Sequence, residues 1–368
     1  MNIPLVDLKA QQAEIAAETE PLILDVLRSA WFIGGPHVAA FEADYAAFCG
    51  VRHCVGVANG TDAVELALRA VGVKPGGEVI MPANTFIATA EAASRIGAIP
   101  VPVDVDEQYL LIDPAKVAQA ITPRTQAIVP VHLYGQVAPV DQLTQMATDA
   151  GVPIVEDAAQ SQGATRHGRA AGSLGAIAGT SFYPGKNLGA SGDAGAVTTS
   201  DAELANSVRL MGAHGSAVKY RHDVVGMNSR LDAVHAVTLA AKLRRLPEWN
   251  ARRQAAAARY AELLGDVAGV RVPASMPGNS DVWHLYVVRV ADRDRVLAQL
   301  NAAGVGAGLH YPDPWHLTPA YASLGYAAGT CPVAERAAGE ILSLPMYPHL
   351  TDEQQCFVVD RLTDAVGR

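Results

Sequence analysis

One lysine in a glycine-rich segment has surroundings suited to covalent chemistry. Lys186 lies in Ser181-Phe-Tyr-Pro-Gly-Lys-Asn-Leu-Gly189, between the apolar runs 174–180 and 194–199, which we predict to be strands. No charged residue separates it from Arg169 on the N-terminal side. Burial in such apolar surroundings depresses the pKa of a lysine and frees its amine as a nucleophile. Lys186 is therefore a candidate for forming a Schiff base.

A carboxylate upstream supplies the second group that this chemistry needs. The run 152–155 predicts a buried strand, which ends in Glu156-Asp157. Pyridoxal phosphate chemistry uses a lysine to carry the aldehyde carbon and a carboxylate to keep the pyridine nitrogen protonated. Ligands of α/β proteins bind at the carboxyl ends of strands, where Asp157 is predicted to lie. Lys186 and Asp157 together predict a pyridoxal phosphate site.

Three small residues could hold the phosphate of that cofactor. Gly60 and Thr61 open a predicted helix directly after a strand, where backbone amides and the helix dipole favour an anion. An ordinary helix cap has the same composition, and the segment alone favours that interpretation. Combined with Lys186 and Asp157, it favours a phosphate site, to which the hydroxyl of Ser181 would add a contact.

Five segments in this order make the chain resemble a known family. It resembles the DegT/DnrJ/EryC1/StrS sugar aminotransferases of the pyridoxal phosphate fold type I, and most of all members that aminate dTDP-linked 3-keto-6-deoxyhexoses. The five segments lie between residues 60 and 232 and are Gly60-Thr-Asp-Ala63, Pro82–Thr89, Glu156–Ser161, Ser181–Gly189 and Gly226–Asp232.

The resemblance implies a role for each remaining cofactor contact. Phe86 would stack on the pyridine ring, and Gln160 would contact its phenolic oxygen. Asn228 would reach the phosphate bound by the other subunit, so that a homodimer would have composite active sites. Lys186 would transfer protons as general base and acid while an amino group passes from L-glutamate to a nucleotide-sugar.

The resemblance also implies substrate contacts. The sugar or its diphosphate would be contacted by six residues: Tyr183, Lys219, Tyr220, Arg230, His310 and His316. C4-specific relatives tend to carry histidine where Tyr183 stands, which favours amination at C3.

Several alternatives stay open at this point. A UDP-linked 3-keto sugar or a C4-keto sugar could replace the dTDP-linked substrate. A sugar dehydratase is disfavoured because such enzymes carry histidine in place of the lysine, and cyclitol aminotransferases have different lysine loops. A non-catalytic regulatory protein on this scaffold would be expected to lose Lys186, Asp157 or the phosphate segment.

Bulk composition excludes other classes of protein. The 368 residues are 50% hydrophobic and 18% charged with a net charge of −9, which disfavours disorder and nucleic-acid binding. No apolar run is long enough to span a membrane, and the N-terminus does not resemble a signal peptide, so we expect a cytoplasmic protein. The four cysteines and the histidines lack metal-site spacing, which predicts no bound metal.

Alternating strand and helix patterns predict an α/β protein with helices on both faces of its sheet. The resemblance specifies an aspartate aminotransferase-like fold type I. We expect a large domain over residues 1–245, with a mostly parallel seven-stranded sheet, and a smaller C-terminal α/β domain over residues 246–368. A helical stretch at 231–264, interrupted at Pro247, would connect them.

Overall fold

The computed structural model describes residues 1–367, in which helices and strands alternate along most of the chain. The helices are α1 (Leu8–Ser29), α2 (Pro36–Cys49), α3 (Gly60–Ala70), α4 (Ile87–Arg95), α5 (Pro114–Ala120), α6 (Val140–Ala150), α7 (Ala202–Gly212), α8 (Ala233–Leu264), α9 (Arg293–Ala302), α10 (Pro332–Ala338) and α11 (Asp352–Val366). The strands are β1 (His53–Val57), β2 (Glu78–Pro82), β3 (Ile99–Val103), β4 (Thr125–Ile128), β5 (Val155–Asp157), β6 (Thr165–Arg166), β7 (Arg169–Ala170), β8 (Ile177–Ser181), β9 (Gly195–Thr199), β10 (Val270–Arg271), β11 (Asn279–Ser280), β12 (Tyr286–Val290) and β13 (Ile341–Leu344).

The main sheet is mostly parallel, as the sequence predicted. One group of strands has the order β1-β9-β8-β5, and a second has the order β3-β2-β4. Isolated parallel bridges, Ile128 to Ile154 and Val131 to Asp157, join the two groups. Only β9 runs antiparallel to its neighbours here. Because the groups meet through isolated bridges, a single seven-stranded sheet stays a prediction.

Strand β2 shows why this sheet is covered on both faces. Val79 and Met81 pack in a core with the buried face of α3, whereas Ile80 packs in another core with α6. All three side chains are fully buried. Successive side chains of a strand point to opposite faces, so a continuous apolar run requires helices on both sides.

The C-terminal part has its own core. Strands β10, β12 and β13 form an antiparallel sheet, which packs with α9, α11 and the end of α8. Helix α8 runs through the predicted domain boundary at residue 245, and its earlier turns pack with α1 and α2 instead. The division into domains 1–245 and 246–368 stays a prediction.

The predicted interruption of α8 at Pro247 is wrong. The helix is continuous from Ala233 to Leu264 with the proline inside it. Leu246 and Trp249 are buried beside Pro247, and the Trp249 indole donates hydrogen bonds to Glu14 of α1. A proline removes one helical hydrogen bond. The packing of the flanking turns holds the helix despite that loss.

Two further findings concern the cysteines and the long helices. All four cysteines are free within the described chain, and burial raises the pKa of Cys49 and Cys331 to about 12. These two thiols are therefore protonated at neutral pH. Among residues 1–367, no helix is both long and apolar enough to cross a membrane.

Candidate active site

Four strand ends converge on one large cavity. The chain leaves β1 into α3, leaves β2 into α4, and leaves β5 and β8 into loops that also border the cavity. The cavity has a volume of about 1070 Å³. Carboxyl ends of parallel strands meet at one edge of a sheet, which places residues distant in sequence on one wall.

Lys186 lies on this wall in the loop between β8 and β9, as predicted. Its backbone amide donates to the carbonyl of Tyr183 at 2.9 Å, which closes a tight turn. Burial lowers the pKa of Lys186 to about 8, against the opposing attraction of Asp157. About a tenth of its amine is therefore uncharged at pH 7, far more than for an exposed lysine, and the uncharged form is the nucleophile.

Asp157 is buried at the end of β5 and faces the same cavity. Its Oδ2 accepts a hydrogen bond from the hydroxyl of Thr89 at 2.7 Å, and its Oδ1 accepts one from the amide of Ala159 at 3.1 Å. Thr89 is held in turn by Thr85 at 2.9 Å. These bonds fix the direction of the carboxylate.

The neighbouring Glu156 points to the other side of β5 and has a structural environment. It is fully buried, and its carboxylate accepts hydrogen bonds from His132 and from the amides of Gly172, Leu174 and Gly175. Burial by itself would raise the pKa of Glu156, but these hydrogen bonds outweigh it and lower the pKa. Glu156 is not on the cavity wall.

The start of α3 forms a small cradle against the end of β8. Asn59 caps the helix by accepting from the amide of Asp62 at 2.8 Å. Within residues 1–367 no protein group accepts from the amides of Gly60 or Thr61, and both residues line the cavity with Ser181. A Cβ on Gly60 would lie 2.6 Å from the Cβ of Ser181. This N-terminus of α3 therefore suits a phosphate.

Two aromatic rings border the cavity near Gln160. Phe86 is 50% exposed, and its ring centroid lies 5.0 Å from that of Tyr311. The carboxamide of Gln160 donates to the hydroxyl of Tyr311 at 3.0 Å and accepts from the amide of Tyr134 at 2.7 Å. A flat aromatic ligand could therefore meet both an aromatic face and a fixed carboxamide here.

Two histidines also line the cavity. His310, predicted to contact substrate, is held through Nδ1 by the hydroxyl of Ser343 at 2.8 Å. Burial, and then the charge of Lys186, lowers the pKa of His310 to about 4. His284 was not predicted from the sequence, and its Nδ1 lies 3.2 Å from Oδ1 of Asn187. Burial lowers the pKa of His284 well below the ordinary value, and the nearby charge of Lys186 lowers it further.

The cavity thus gathers most predicted site residues. Those on its wall are Gly60, Thr61, Phe86, Asp157, Gln160, Ser181, Tyr183, Lys186 and His310. Four others, Lys219, Tyr220, Asn228 and Arg230, are exposed and do not line it. The hydroxyl of Ser229, next to Asn228, accepts from the amide of Ala58 at 3.1 Å, which ties that segment to the end of β1.

His316 was also predicted to contact the substrate, but it does not line the cavity. It is 1% exposed, and its Nε2 lies 3.2 Å from the carboxylate of Glu335. It follows Trp315, whose indole donates to the carbonyl of Pro82 at 3.0 Å. Its burial and its contact with Glu335 indicate a role in the packing of this segment.

Sequence reasoning missed Thr89, Tyr311 and His284. Thr89 belongs to α4 and Thr85 precedes that helix, so two threonine hydroxyls close together in sequence were the available signal. Tyr311 follows the predicted His310. His284 stands in an apolar run, where a polar residue is a sign of a specific contact. None of these signals names the partner, because each partner is distant in sequence.

The wall residues fit pyridoxal 5′-phosphate on the chemistry of their groups. Lys186 offers an amine, Asp157 an oriented carboxylate, and Gly60 and Thr61 open amides at a helix N-terminus. When bound, this cofactor supplies an electron sink that stabilises negative charge on the substrate carbon.

Comparison with known proteins agrees with this chemistry. The chain is 49% identical over 98% of its length to the erythromycin biosynthesis sensory transduction protein EryC1 of Saccharopolyspora erythraea, of which it covers 99%. It is 46% identical over its full length to the dTDP-3-amino-3,4,6-trideoxy-alpha-D-glucose transaminase of Streptomyces venezuelae, of which it covers 97%. The crystal structure of S. venezuelae DesV in complex with a ketimine intermediate matches with a TM-score of 0.97 at 46% identity, covering 100% of this chain and 99% of that one.

The family model extends over nearly the same length. It matches residues 13–363 and describes the DegT/DnrJ/EryC1/StrS aminotransferase family. The fold class and the pyridoxal phosphate cofactor predicted from the sequence are confirmed by these relatives and by structural neighbours with bound pyridoxamine phosphate. The chain belongs to the DegT/DnrJ/EryC1/StrS family and is a pyridoxal phosphate-dependent sugar aminotransferase.

Proposed function

We propose that this enzyme transfers an amino group from L-glutamate to C3 of a dTDP-linked 3-keto-6-deoxyhexose in the cytoplasm. The product would be a dTDP-linked 3-amino-3,6-dideoxyhexose. The observation that carries the proposal is the placement of Lys186 and Asp157 on one cavity wall. The name of the transaminase that is 46% identical supports the substrate class.

Lys186 would hold and move the proton at the reacting carbon. With a pKa of about 8, it can accept a proton as the amine and return it as the ammonium near neutral pH. Asp157 would keep a proton on the cofactor's ring nitrogen, because Thr89 and Ala159 aim its carboxylate. Phe86 and Gln160 would orient the ring, and Gly60, Thr61 and Ser181 would bind the phosphate.

The charges on the cavity wall favour a neutral sugar ring. Within residues 1–367, Lys186 and Arg95 are the lysine and arginine that line the cavity, and Arg95 is paired with Asp62 at 3.0 Å and with Glu65 at 2.9 Å. The carboxylates on the wall are Glu91, Asp157 and Asp193. A sugar acid would meet these carboxylates without a free cation, so a deoxyhexose is the better fit. Tyr183 and His310 would contact that ring.

A homodimer with composite sites would complete the cavity. The segment that contains Tyr220 and Val225 projects into solvent, and these side chains are 83% and 95% exposed. Exposed apolar patches of this kind mark contact surfaces. We propose that Asn228 reaches the phosphate in the other subunit, and that Lys219, Tyr220 and Arg230 approach the diphosphate there.

A substrate comparison tests the proposal. The purified protein, loaded with pyridoxal phosphate, would be mixed with L-glutamate and either dTDP-linked or UDP-linked 3-keto-hexose, and the amino sugar would be measured by mass spectrometry. We expect glutamate to change the visible absorbance of the bound cofactor, and product to form with the dTDP-linked sugar. Faster turnover of the UDP-linked or of a 4-keto sugar would reject the substrate assignment.

A regulatory role is the second candidate, because one relative at 49% identity is named a sensory transduction protein. The retained Lys186 and Asp157 argue against a purely non-catalytic protein. A loaded protein whose absorbance does not respond to L-glutamate or other amino donors would favour that role.

A further inference from the structure

A chain of buried amides beneath the cavity fixes the orientation of His284. Asn187, which directly follows Lys186, donates through Nδ2 to the carbonyl of Val282 at 2.9 Å and to Oδ1 of Asn250 at 3.0 Å. Asn250 donates through Nδ2 to the carbonyl of Gln162 at 2.9 Å. Because backbone carbonyls only accept hydrogen bonds, both amides have a single consistent orientation.

That orientation determines which nitrogen of His284 carries the proton. The Asn187 oxygen faces Nδ1 of His284 at 3.2 Å, and an amide oxygen can only accept. Nδ1 must therefore be the protonated nitrogen. In the neutral ring Nε2 then has a free lone pair, and the ring lines the cavity that also contains Lys186.

Surrounding groups keep His284 neutral. Burial lowers its pKa well below the ordinary value, and the charges of Lys186 and Arg253 lower it further. The guanidinium of Arg253 is buried and donates to the carbonyls of Trp283 and Met346 at 3.2 and 2.8 Å. Arg253 thus also holds the backbone next to His284.

Lys186 is a donor that lacks an acceptor. Within residues 1–367 its Nζ forms no hydrogen bond or ion pair, although at neutral pH most of it is an ammonium. Asp157 attracts the Lys186 ammonium, but Thr89 and Ala159 fix the direction of its carboxylate. The four-carbon side chain of lysine is flexible enough to turn toward another acceptor on the wall.

We propose that His284 is a positioning residue for the transfer reaction, whose Nε2 accepts a hydrogen bond from the Lys186 amine whenever that amine is not bonded to the cofactor. The bond would direct the amine and stabilise its protonated form. Since Lys186 moves the proton in both half-reactions, His284 would serve both. This inference rests on the proposed function for its reaction, and on the contacts of Asn187 and His284 for its geometry.

Cofactor capture tests the bond without any substrate. The rate at which cofactor-free protein takes up pyridoxal phosphate would be followed by visible absorbance against pH for wild type, His284→Gln, His284→Leu and the control His349→Leu. His349 is a partly buried histidine that contacts Glu14 and does not line the cavity. In His284→Leu the Lys186 ammonium loses its acceptor, so the midpoint of the profile should move to lower pH by about one unit. His284→Gln keeps an acceptor and should stay within about 0.3 units of wild type, as should the control. Equal midpoints in all four proteins would overturn the proposal.

Half-reaction rates separate this role from sugar binding. We expect His284→Leu to slow both the reaction with L-glutamate and the reaction with the keto-sugar by about tenfold. Slowing of the sugar reaction alone would mean that His284 contacts the sugar instead of Lys186. A wild-type protein that does not react with L-glutamate would refute the proposed function and leave the capture profile as a valid test of the bond.

The tautomer can be read in the wild-type protein, in case His284→Leu fails to fold. Selective ¹⁵N labelling of histidine distinguishes protonated Nδ1 from protonated Nε2, and the spectrum of His284→Gln assigns the signal. We expect a neutral ring with protonated Nδ1 across about pH 6 to 8. A ring with protonated Nε2 could not accept from Lys186, and that result would reject the proposal.

Discussion

Glu156 and Asp157 are adjacent carboxylates with different roles. Alternation along β5 turns Glu156 toward His132 and the backbone amides of a neighbouring loop, whereas Asp157 faces the cavity with Lys186. Glu156 stabilises the fold, whereas Asp157 can contact a ligand in the cavity. A mutation at each position should therefore give a different kind of defect.

We expect Asp157→Asn to fold normally and to lose turnover by at least about 100-fold, because an amide cannot hold a proton on the cofactor's ring nitrogen. Glu156→Gln should instead lower the free energy of unfolding by about 1–3 kcal/mol, because it weakens buried charge-assisted hydrogen bonds. Steady-state rates and urea denaturation of both variants measure the two effects. Near-normal turnover in Asp157→Asn would mean that another group contacts the ring nitrogen.

The pKa of Lys186 sets the pH dependence of cofactor capture. Below its pKa the residue is an ammonium and cannot attack an aldehyde, so the capture rate should rise with pH and level off above about pH 8. An exposed lysine in a model peptide should keep gaining rate toward its ordinary pKa of about 10.4. Stopped-flow absorbance of cofactor-free protein between about pH 6 and 10 measures this. A profile that matches the peptide would contradict the depressed pKa.

At the scale of elements, the start of α3 and the end of β8 must approach closely to form the phosphate cradle. Gly60 permits this approach, since a Cβ there would lie 2.6 Å from the Cβ of Ser181. The helix is already capped by Asn59, which leaves two amides available for an anion. The contact between the two elements is therefore also a binding feature.

Gly60→Ala should weaken pyridoxal phosphate binding by at least about tenfold, because the added methyl group pushes the helix start away from Ser181. Pyridoxal, which lacks the phosphate, should lose less affinity. Gly339→Ala is a suitable control, because Gly339 has a negative φ and its Cβ would make only an ordinary contact at 3.5 Å. Equal losses for both ligands, measured by titration, would mean that the cradle does not bind the phosphate.

For the whole molecule, the exposed apolar surface suggests an assembly larger than one chain. The first helix and the loop after it expose Leu24, Leu27 and Trp31, and the distant segment near Val225 is exposed as well. Covering these side chains would release water from apolar surface and stabilise a dimer.

Mixed subunits test the composite site. Lys186→Ala should be inactive, and Asn228→Ala should lose most activity through weaker phosphate binding. After random mixing and refolding, half of the dimers are mixed, and each has one site with both residues intact, so about a quarter of wild-type activity should return. Analytical ultracentrifugation would check dimer formation. Mixing without any recovery would mean that Lys186 and Asn228 of one chain serve the same site, or that Asn228 has no role.

The sequence by itself determined the fold class and the cofactor, and it predicted residues that the structure brings to one cavity wall. Lys186, Asp157, Gly60 and Thr61 could be predicted because each stands at a strand end within a short segment whose local pattern carries the chemistry. The mostly parallel sheet followed from apolar runs alternating with amphipathic ones. Both patterns lie within short stretches of the chain, so they can be read from a single sequence.

Only the tertiary structure decided which partners these residues have. Thr89 orients Asp157 from another helix, Tyr311 meets Phe86 from a segment far along the chain, and His284 is fixed by Asn187. The continuity of α8 through Pro247 likewise depends on packing against α1. Hydrogen bonds and packing between distant segments depend on the tertiary fold. No local sequence pattern specifies which distant segments meet.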